Sequence, residues 1–254
     1  MGLFRKKKKK IKAVAFVDYE HWYYSYCNLY TMKPNVEEWL EEIKRDYGCE
    51  KAYFFGDFSE YNISSEAKKL EELDATIIHT ANSSEHAKKD FTDFIMLDYI
   101  YQIAAEKDCP DIFLIFTGDG HFDSVMKYLR KKLDKKVIVY GVKRAFSGKL
   151  KSIANSYVEM PRYVQEQQFY FGLILKSLHI LDKRGKKATF WKTIRNVAEH
   201  NKVTEERVET SLQELINRRY LIEVETEFKG KKSKILDVNW QRLQEDGLWE
   251  EGTA

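Results

Sequence analysis

The chain has 254 residues, 43% hydrophobic, 14% aromatic and 33% charged, with a formal net charge of +3. That apolar share supports a substantial core and excludes global disorder. No apolar run approaches the roughly 18 residues that a membrane helix needs, so no membrane partner is expected and a cytoplasmic protein is.

The chain opens on MGLFRKKKKKIKA, in which residues 1–12 hold seven basic side chains and no acid. There is no apolar h-region, so a secretory signal is not expected, and position six lacks the Ser/Thr of a myristoylation signal. Such an arm is either a solvated tail or a phosphate-binding segment built on Lys6, Lys7, Lys8, Lys9 and Lys10. Residues 13–161 hold 19 basic and 25 acidic side chains, and residues 162–254 hold 17 and 15. A basic arm therefore precedes an acidic body. Cys27, Cys49 and Cys109 are odd in number and lack CxxC spacing, which predicts reduced thiols rather than a disulfide framework or a zinc site.

Short apolar runs then alternate with helical patterns. AVAFV (13–17) precedes a polar-aromatic stretch over about 20–46. KAYFF (51–55) precedes a helix near 64–73, and ATIIH (75–79) one near 92–105. DIFLIF (111–116) precedes a helix near 122–132, and KKVIVYG (135–141) a short one near 146–153, before SYVEM (156–160) and Pro161. Strands that are apolar almost throughout, alternating with helices, predict a parallel α/β sheet with helices on both faces over residues 13–161. Ligands bind such sheets at the carboxyl ends of the strands.

From residue 162 to 254 the pattern changes to three helices followed by two β-rich runs around Lys229-Gly230-Lys231-Lys232. That order predicts a small winged-helix α+β domain with a basic wing. Lys183, Arg184, Lys186 and Lys187 in its first loop, with Lys229, Lys231, Lys232 and Lys234, are the groups placed to meet phosphates. The helix TEERVETSLQELINRR, with Thr204 as its expected N-cap, carries Glu205, Glu206, Glu209 and Glu214. Those acids disfavour sequence readout of duplex DNA and leave a protein partner, or RNA held by the wing, as the alternatives.

Acids recur where the strands end. Asp18 ends AVAFVD, Asp57 follows KAYFFG and Asp119 follows FLIFTG, while Asp93 opens the helix after the third strand. Asp98 lies five residues along that helix, about 140° around it, so Asp93 is the better placed of the two. Taken singly, each acid has a structural reading as a helix cap or turn residue. Together they do not: two carboxylates about 4 Å apart repel by roughly 4 kcal/mol at an effective dielectric near 20. Converging acids therefore protonate, splay or bind a cation, and an all-oxygen site with open positions suits Mg²⁺ or Mn²⁺. Nucleotide loops of the GxGxxG and GxxxxGK[ST] kinds and a GxSxG elbow are absent from the sequence. The aromatic run YEHWYYSYCNLY (19–30) offers rings either to the core or to bases, and Lys88 and Lys89 sit just ahead of Asp93.

VAFVDYEHWYYS, TDFIMLDYIYQ and FTGDGHFDSV, in that order and spacing, resemble the NYN domain, in particular its bacterial LabA-like branch, over roughly residues 12–161. The resemblance implies a PIN-like (Rossmannoid) fold and a Mg²⁺- or Mn²⁺-dependent ribonuclease. Asp18, Asp93 and Asp119 match the metal-binding acids, and Glu20, His21, Asp98 and Asp57 are secondary candidates. The chain departs from the family pattern twice: His21 stands where Asn is usual, and His121 where many members have a second Asp. His121 either caps the helix it opens or serves the site as a phosphate contact, proton acceptor or Mn²⁺ ligand. The expected substrate is RNA, single-stranded favoured, with single-stranded DNA as a weaker candidate. The competing reading is a binding adaptor for nucleic acid or protein whose nuclease site has degenerated.

Overall fold

The computed structural model describes residues 11–80, 91–228 and 231–250. The chain divides into two compact units, one over Met1–Leu29 and Lys33–Met160, the other over Tyr30–Met32 and Pro161–Ala254.

In the first unit six strands form one parallel sheet: β1 (Ala13–Asp18), β2 (Ala52–Gly56), β3 (Thr76–His79), β4 (Ile112–Phe116), β5 (Lys136–Val142) and β6 (Ser156–Met160). Their spatial order is β3-β2-β1-β4-β5-β6, every neighbouring pair parallel. The four central strands are apolar almost throughout because both of their faces are covered. Val14 and Phe16 on β1, with Phe113 and Ile115 on β4, pack beneath Met96, Ile100, Val125, Met126 and Leu129. These come from α4 (Phe91–Ala105) and α5 (Asp123–Lys131). On the opposite face Trp22 of α1 (Tyr19–Tyr30) stacks on Phe116 with ring centroids 4.1 Å apart. Trp39 of α2 (Val36–Tyr47) meets Phe54, Phe116 and Tyr140 edge-on. α3 (Tyr61–Glu72) and α6 (Gly148–Ile153) complete the layers.

One feature refines the sequence reading, and another settles a choice that it left open. The stretch near 20–46 is two helices rather than one continuous segment. Thr31 adopts a positive φ of 56° between them, and Pro34 cannot extend a helix that precedes it. The aromatic run of α1 belongs to the core: Tyr19, Trp22, Tyr23, Tyr26 and Tyr30 are all buried. Those five rings are closed to a base. Tyr24 is half-buried, and its hydroxyl donates to Glu60 at 2.6 Å.

The second unit has α7 (Tyr163–Lys183), α8 (Phe190–Asn201) and α9 (Glu205–Asn217). An antiparallel hairpin of β7 (Leu221–Phe228) and β8 (Lys231–Val238) follows, then α10 (Trp240–Glu245), which the sequence pattern does not announce. Its core joins Phe171, Ile174, Leu178, Ile194, Val208 and Leu212 to Leu221, Leu236 and Trp249. Thr204 takes the N-cap position of α9, but its side chain makes no capping hydrogen bond. No helix among the described residues is long and apolar enough to cross a membrane.

Candidate metal centre

The strand order sets the place of the site. From β1 the chain runs outward through β2 and β3, then crosses back to lay β4 on the other side of β1. The connections leaving β1 and β4 therefore diverge, and the crevice above their carboxyl ends is where ligands of such sheets bind. Asp18 is the last residue of β1 and Asp119 lies three residues past β4.

Asp18 is buried, and its Oδ1 accepts the backbone N–H of His21 at 3.0 Å. Burial pushes its carboxyl up to about 8. The His21 N–H opposes that rise, and the charges of Asp93, Glu20 and Asp119 add to it. Asp93 stands in the first turn of α4 and is half-buried. The start of that helix is tied to the sheet beside it: the Thr80 N–H donates to the Gly56 carbonyl at 3.1 Å, and the Thr80 and Thr92 hydroxyls share a hydrogen bond of 2.6 Å.

Asp119 enters through the turn Thr117-Gly118-Asp119-Gly120. The Asp119 N–H donates to the buried Thr117 hydroxyl at 3.2 Å. Asp119 then caps the single 3₁₀ turn Gly120–Phe122, its Oδ1 accepting the His121 N–H at 2.8 Å. Gly118 is required for closeness rather than flexibility: a Cβ there would collide with the Ala145 carbonyl and the His21 ring. The Ser147 N–H donates to the Gly118 carbonyl at 3.1 Å, pinning the turn from the loop after β5.

These placements bring Asp93, Asp119 and His121 together. One ligand atom from each lies within 4.8 Å of the other two, and Nδ1 of His121 is 3.1 Å from Oδ1 of Asp119. Asp18 stands outside that trio but is close enough for its carboxyl to feel both aspartates. His21 lies alongside, against Gly118, with Nε2 buried and lacking a hydrogen-bond partner among the described residues. Burial lowers its pKa, and the Asp119 charge raises it.

The secondary carboxylates each have a nearby hydrogen-bond donor. Glu20 accepts the Asp57 N–H at 2.5 Å, and its carboxyl is raised chiefly by burial. Asp57 accepts the Ser59 N–H at 3.0 Å and also the Ser59 hydroxyl. That pair shapes the loop between β2 and α3. Asp98 is exposed and bonded to Gln102 at 2.6 Å, one turn along its own helix. Among the candidate phosphate contacts, Lys6, Lys7, Lys8, Lys9, Lys10, Lys88, Lys89 and Lys229 lie outside the described residues. Lys231 begins β8 and Lys232 follows it, exposed. Lys187 is committed to Asp182 at 2.8 Å and Asp237 at 3.1 Å.

Sequence reasoning passes over Asp123. Its carboxylate binds Lys127 at 2.7 Å and Lys149 at 2.9 Å, and these two ammonium groups hold it down to about 2. It thereby fixes α5 to the start of α6, next to the turn that carries Asp119. The Asp123–Lys127 spacing is a visible helical ion pair, whereas the contact to Lys149 depends on the tertiary fold.

Known proteins agree with this architecture. A crystal structure of a protein of unknown function from Vibrio parahaemolyticus RIMD 2210633 superposes with a TM-score of 0.55 at 18% identity, covering 61% of this chain and 96% of that one. At that identity the likeness carries the fold alone. No match was found among curated protein sequences. The family model of the NYN domain matches residues 12–161, the stretch that runs from the start of β1 past the end of β6. With the six-stranded PIN-like sheet and the acids at its switch point, that match makes this chain a member of the NYN domain family.

Proposed function

We propose that this chain is a metal-dependent ribonuclease that acts in the cytoplasm on single-stranded RNA, with single-stranded DNA as a weaker substrate. The NYN family is one of PIN-like nucleases. The observation that carries the reading is the meeting of Asp93, Asp119 and His121 within 4.8 Å at the switch point of the sheet, backed by the buried Asp18.

The donors suit a divalent cation. Three ligand atoms converge, and the Asp18 carboxyl is lifted by burial and by two neighbouring aspartates. A cation at that point relieves the repulsion that protonation otherwise relieves. Asp93, Asp119 and His121 would hold it, with Asp18 adjoining. A Mg²⁺ or Mn²⁺ ion bound there would lower the pKa of a water and offset charge on a phosphodiester.

The protein supplies the positioning. The His21 N–H fixes one Asp18 oxygen. The Thr117 hydroxyl and the His121 N–H fix Asp119. The Thr80–Thr92 bond anchors the turn that carries Asp93. The strand is captured by the basic arm and by a winged-helix-like second unit through Lys232 and its neighbours, a unit whose acidic α9 also suits a protein partner.

One observation favours the adaptor reading: Oδ1 of Asp119 is already engaged by both the N–H and Nδ1 of His121, as a purely structural turn requires. The deciding experiment follows end-labelled single-stranded RNA, with single-stranded DNA in parallel, in Mg²⁺, Mn²⁺ and EDTA. It compares the native chain with Asp119→Asn. Metal-dependent products that fall by at least ~100-fold in the variant support the nuclease. RNA binding without products from either protein gives the adaptor reading.

A further inference from the structure

We propose that the outer side of α4 and the adjoining side of α5 form a track that seats single-stranded RNA beside the metal centre. Bases stack on Phe94 and Tyr101, and phosphates meet Lys131 and Lys132. The track rests on the substrate proposed above, and it orients the strand that the arm and the second unit capture.

α4 carries apolar residues all round, a composition that ordinarily marks a helix buried on every side. Met96, Ile100, Ile103 and Ala104 are buried as expected. Phe91, Phe94 and Tyr101, however, are 44%, 67% and 40% exposed, and exposed apolar patches mark interaction surfaces. Phe94 and Tyr101 are seven residues apart, so they lie within about 20° of each other around the helix and about 10 Å apart along it. That span is roughly three nucleotide steps of a stacked strand. The stripe continues onto α5, where the Tyr128 ring meets Tyr101 with centroids 5.3 Å apart. Lys131 and Lys132 are exposed and, three and four residues past Tyr128, share its side of that helix.

Three features select a nucleic-acid strand as the occupant. The stripe starts at the metal centre, because Asp93 of the trio stands between Phe91 and Phe94. Its most exposed apolar groups are rings, and a ring face stacks on any base. Polar groups interrupt it: Asp98 and Gln102 are exposed and bonded to each other at 2.6 Å, and two lysines close the far end. A second copy of the chain or an apolar partner helix would strip water from these charges. A strand instead leaves Asp98 in solvent and brings phosphates to the lysines. Asp98 stands about 60° beyond Tyr101 around α4, away from the contact with Tyr128, so its charge steers phosphates toward α5.

The test measures binding of a fluorescein-labelled oligouridine to the full chain by anisotropy, in EDTA so that no strand is cut, over a series of salt concentrations. Phe94→Leu and Tyr101→Leu should each weaken binding by about 5–100-fold, the range of one base stack, and by the same factor at every salt concentration. Phe94→Tyr, which keeps a ring, should bind as the native chain does. Lys131→Gln combined with Lys132→Gln should instead flatten the fall of log K with log salt by about 1.4, at ~0.7 per contact. Tyr61→Leu removes a ring that is 93% exposed on α3, outside the track, and should change nothing. Circular dichroism checks that each variant folds.

Unchanged affinity in Phe94→Leu, beside metal-dependent cleavage by the native chain, overturns the track and leaves the nuclease standing. Equal losses in Phe94→Leu and Phe94→Tyr overturn stacking as its basis. A native dimer that becomes a monomer in Phe94→Leu with RNA affinity unchanged gives the face to a second copy of the chain. Ring-dependent binding by a chain that cuts no RNA sinks the nuclease reading alone.

Discussion

Asp18 ends β1 where solvent hardly reaches, and the energetics of that position can be measured. Its carboxyl is at about 8 in the folded chain against 3.8 ordinarily, chiefly through burial. The folded metal-free protein therefore holds a proton that the unfolded chain has released across that interval. Stability from this group is complete below about pH 4 and is lost as pH rises toward 8, at up to about 1.4 kcal/mol per pH unit. Thermal melts of metal-free protein from pH 5.5 to 8 should show Tm falling relative to Asp18→Asn, which carries no titrating group there. Parallel curves for the two proteins would mean that Asp18 titrates normally. Saturating Mn²⁺ at pH 8 should recover the loss, since a cation replaces the proton. The opposing contribution of His21, whose lowered pKa favours the neutral folded form as pH rises, is present in both proteins and cancels.

α4 shows how helical phase sorts residues that sequence lists together. Its buried side comprises Met96, Ile100, Ile103 and Ala104. Asp93 lies one turn before Met96, close to that side, and reaches the trio. Asp98 falls on the exposed side and bonds Gln102. Asp93→Asn should accordingly lower the cleavage rate by two orders of magnitude or more. Asp98→Asn should stay within about 0.5 kcal/mol in stability, as exposed substitutions do, and retain the rate. Equal losses in the two variants would place the site elsewhere on the helix. The same phase argument explains α1: rings at 19, 22, 23, 26 and 30 follow helical spacing and turn inward, so of the two uses the sequence left open for them, core and base stacking, these five serve the core.

Across the whole molecule, charge is distributed so that an acidic unit needs basic help to hold a polyanion. Residues 13–161 carry six more acids than bases, while residues 1–12 carry seven bases. If the arm makes on the order of seven contacts to a single strand, log K should fall by roughly 0.7 per contact with log salt. Deleting residues 1–12 should flatten that slope by several units in a filter-binding or anisotropy titration, with cleavage at saturating RNA unchanged. A slope that stays the same would remove the arm from substrate capture and leave the second unit as the binding element.

From the sequence alone one could read the strands, the parallel class and the acids at the strand ends, because each of these is a local signal. Apolar runs mark strands buried on both faces, and a Thr-Gly-Asp-Gly turn marks where one stops. His21 and His121 were legible as departures from a family pattern. The crevice and its occupants were decided by tertiary structure. The order β3-β2-β1-β4-β5-β6 sets β1 beside β4, about a hundred residues apart in the chain. Only that pairing brings Asp18 near Asp119 and lets Asp93 arrive from α4, while the Glu20 carboxylate takes the Asp57 backbone N–H. Convergence of side chains depends on strand order and helix phase together, and neither is written in any one segment.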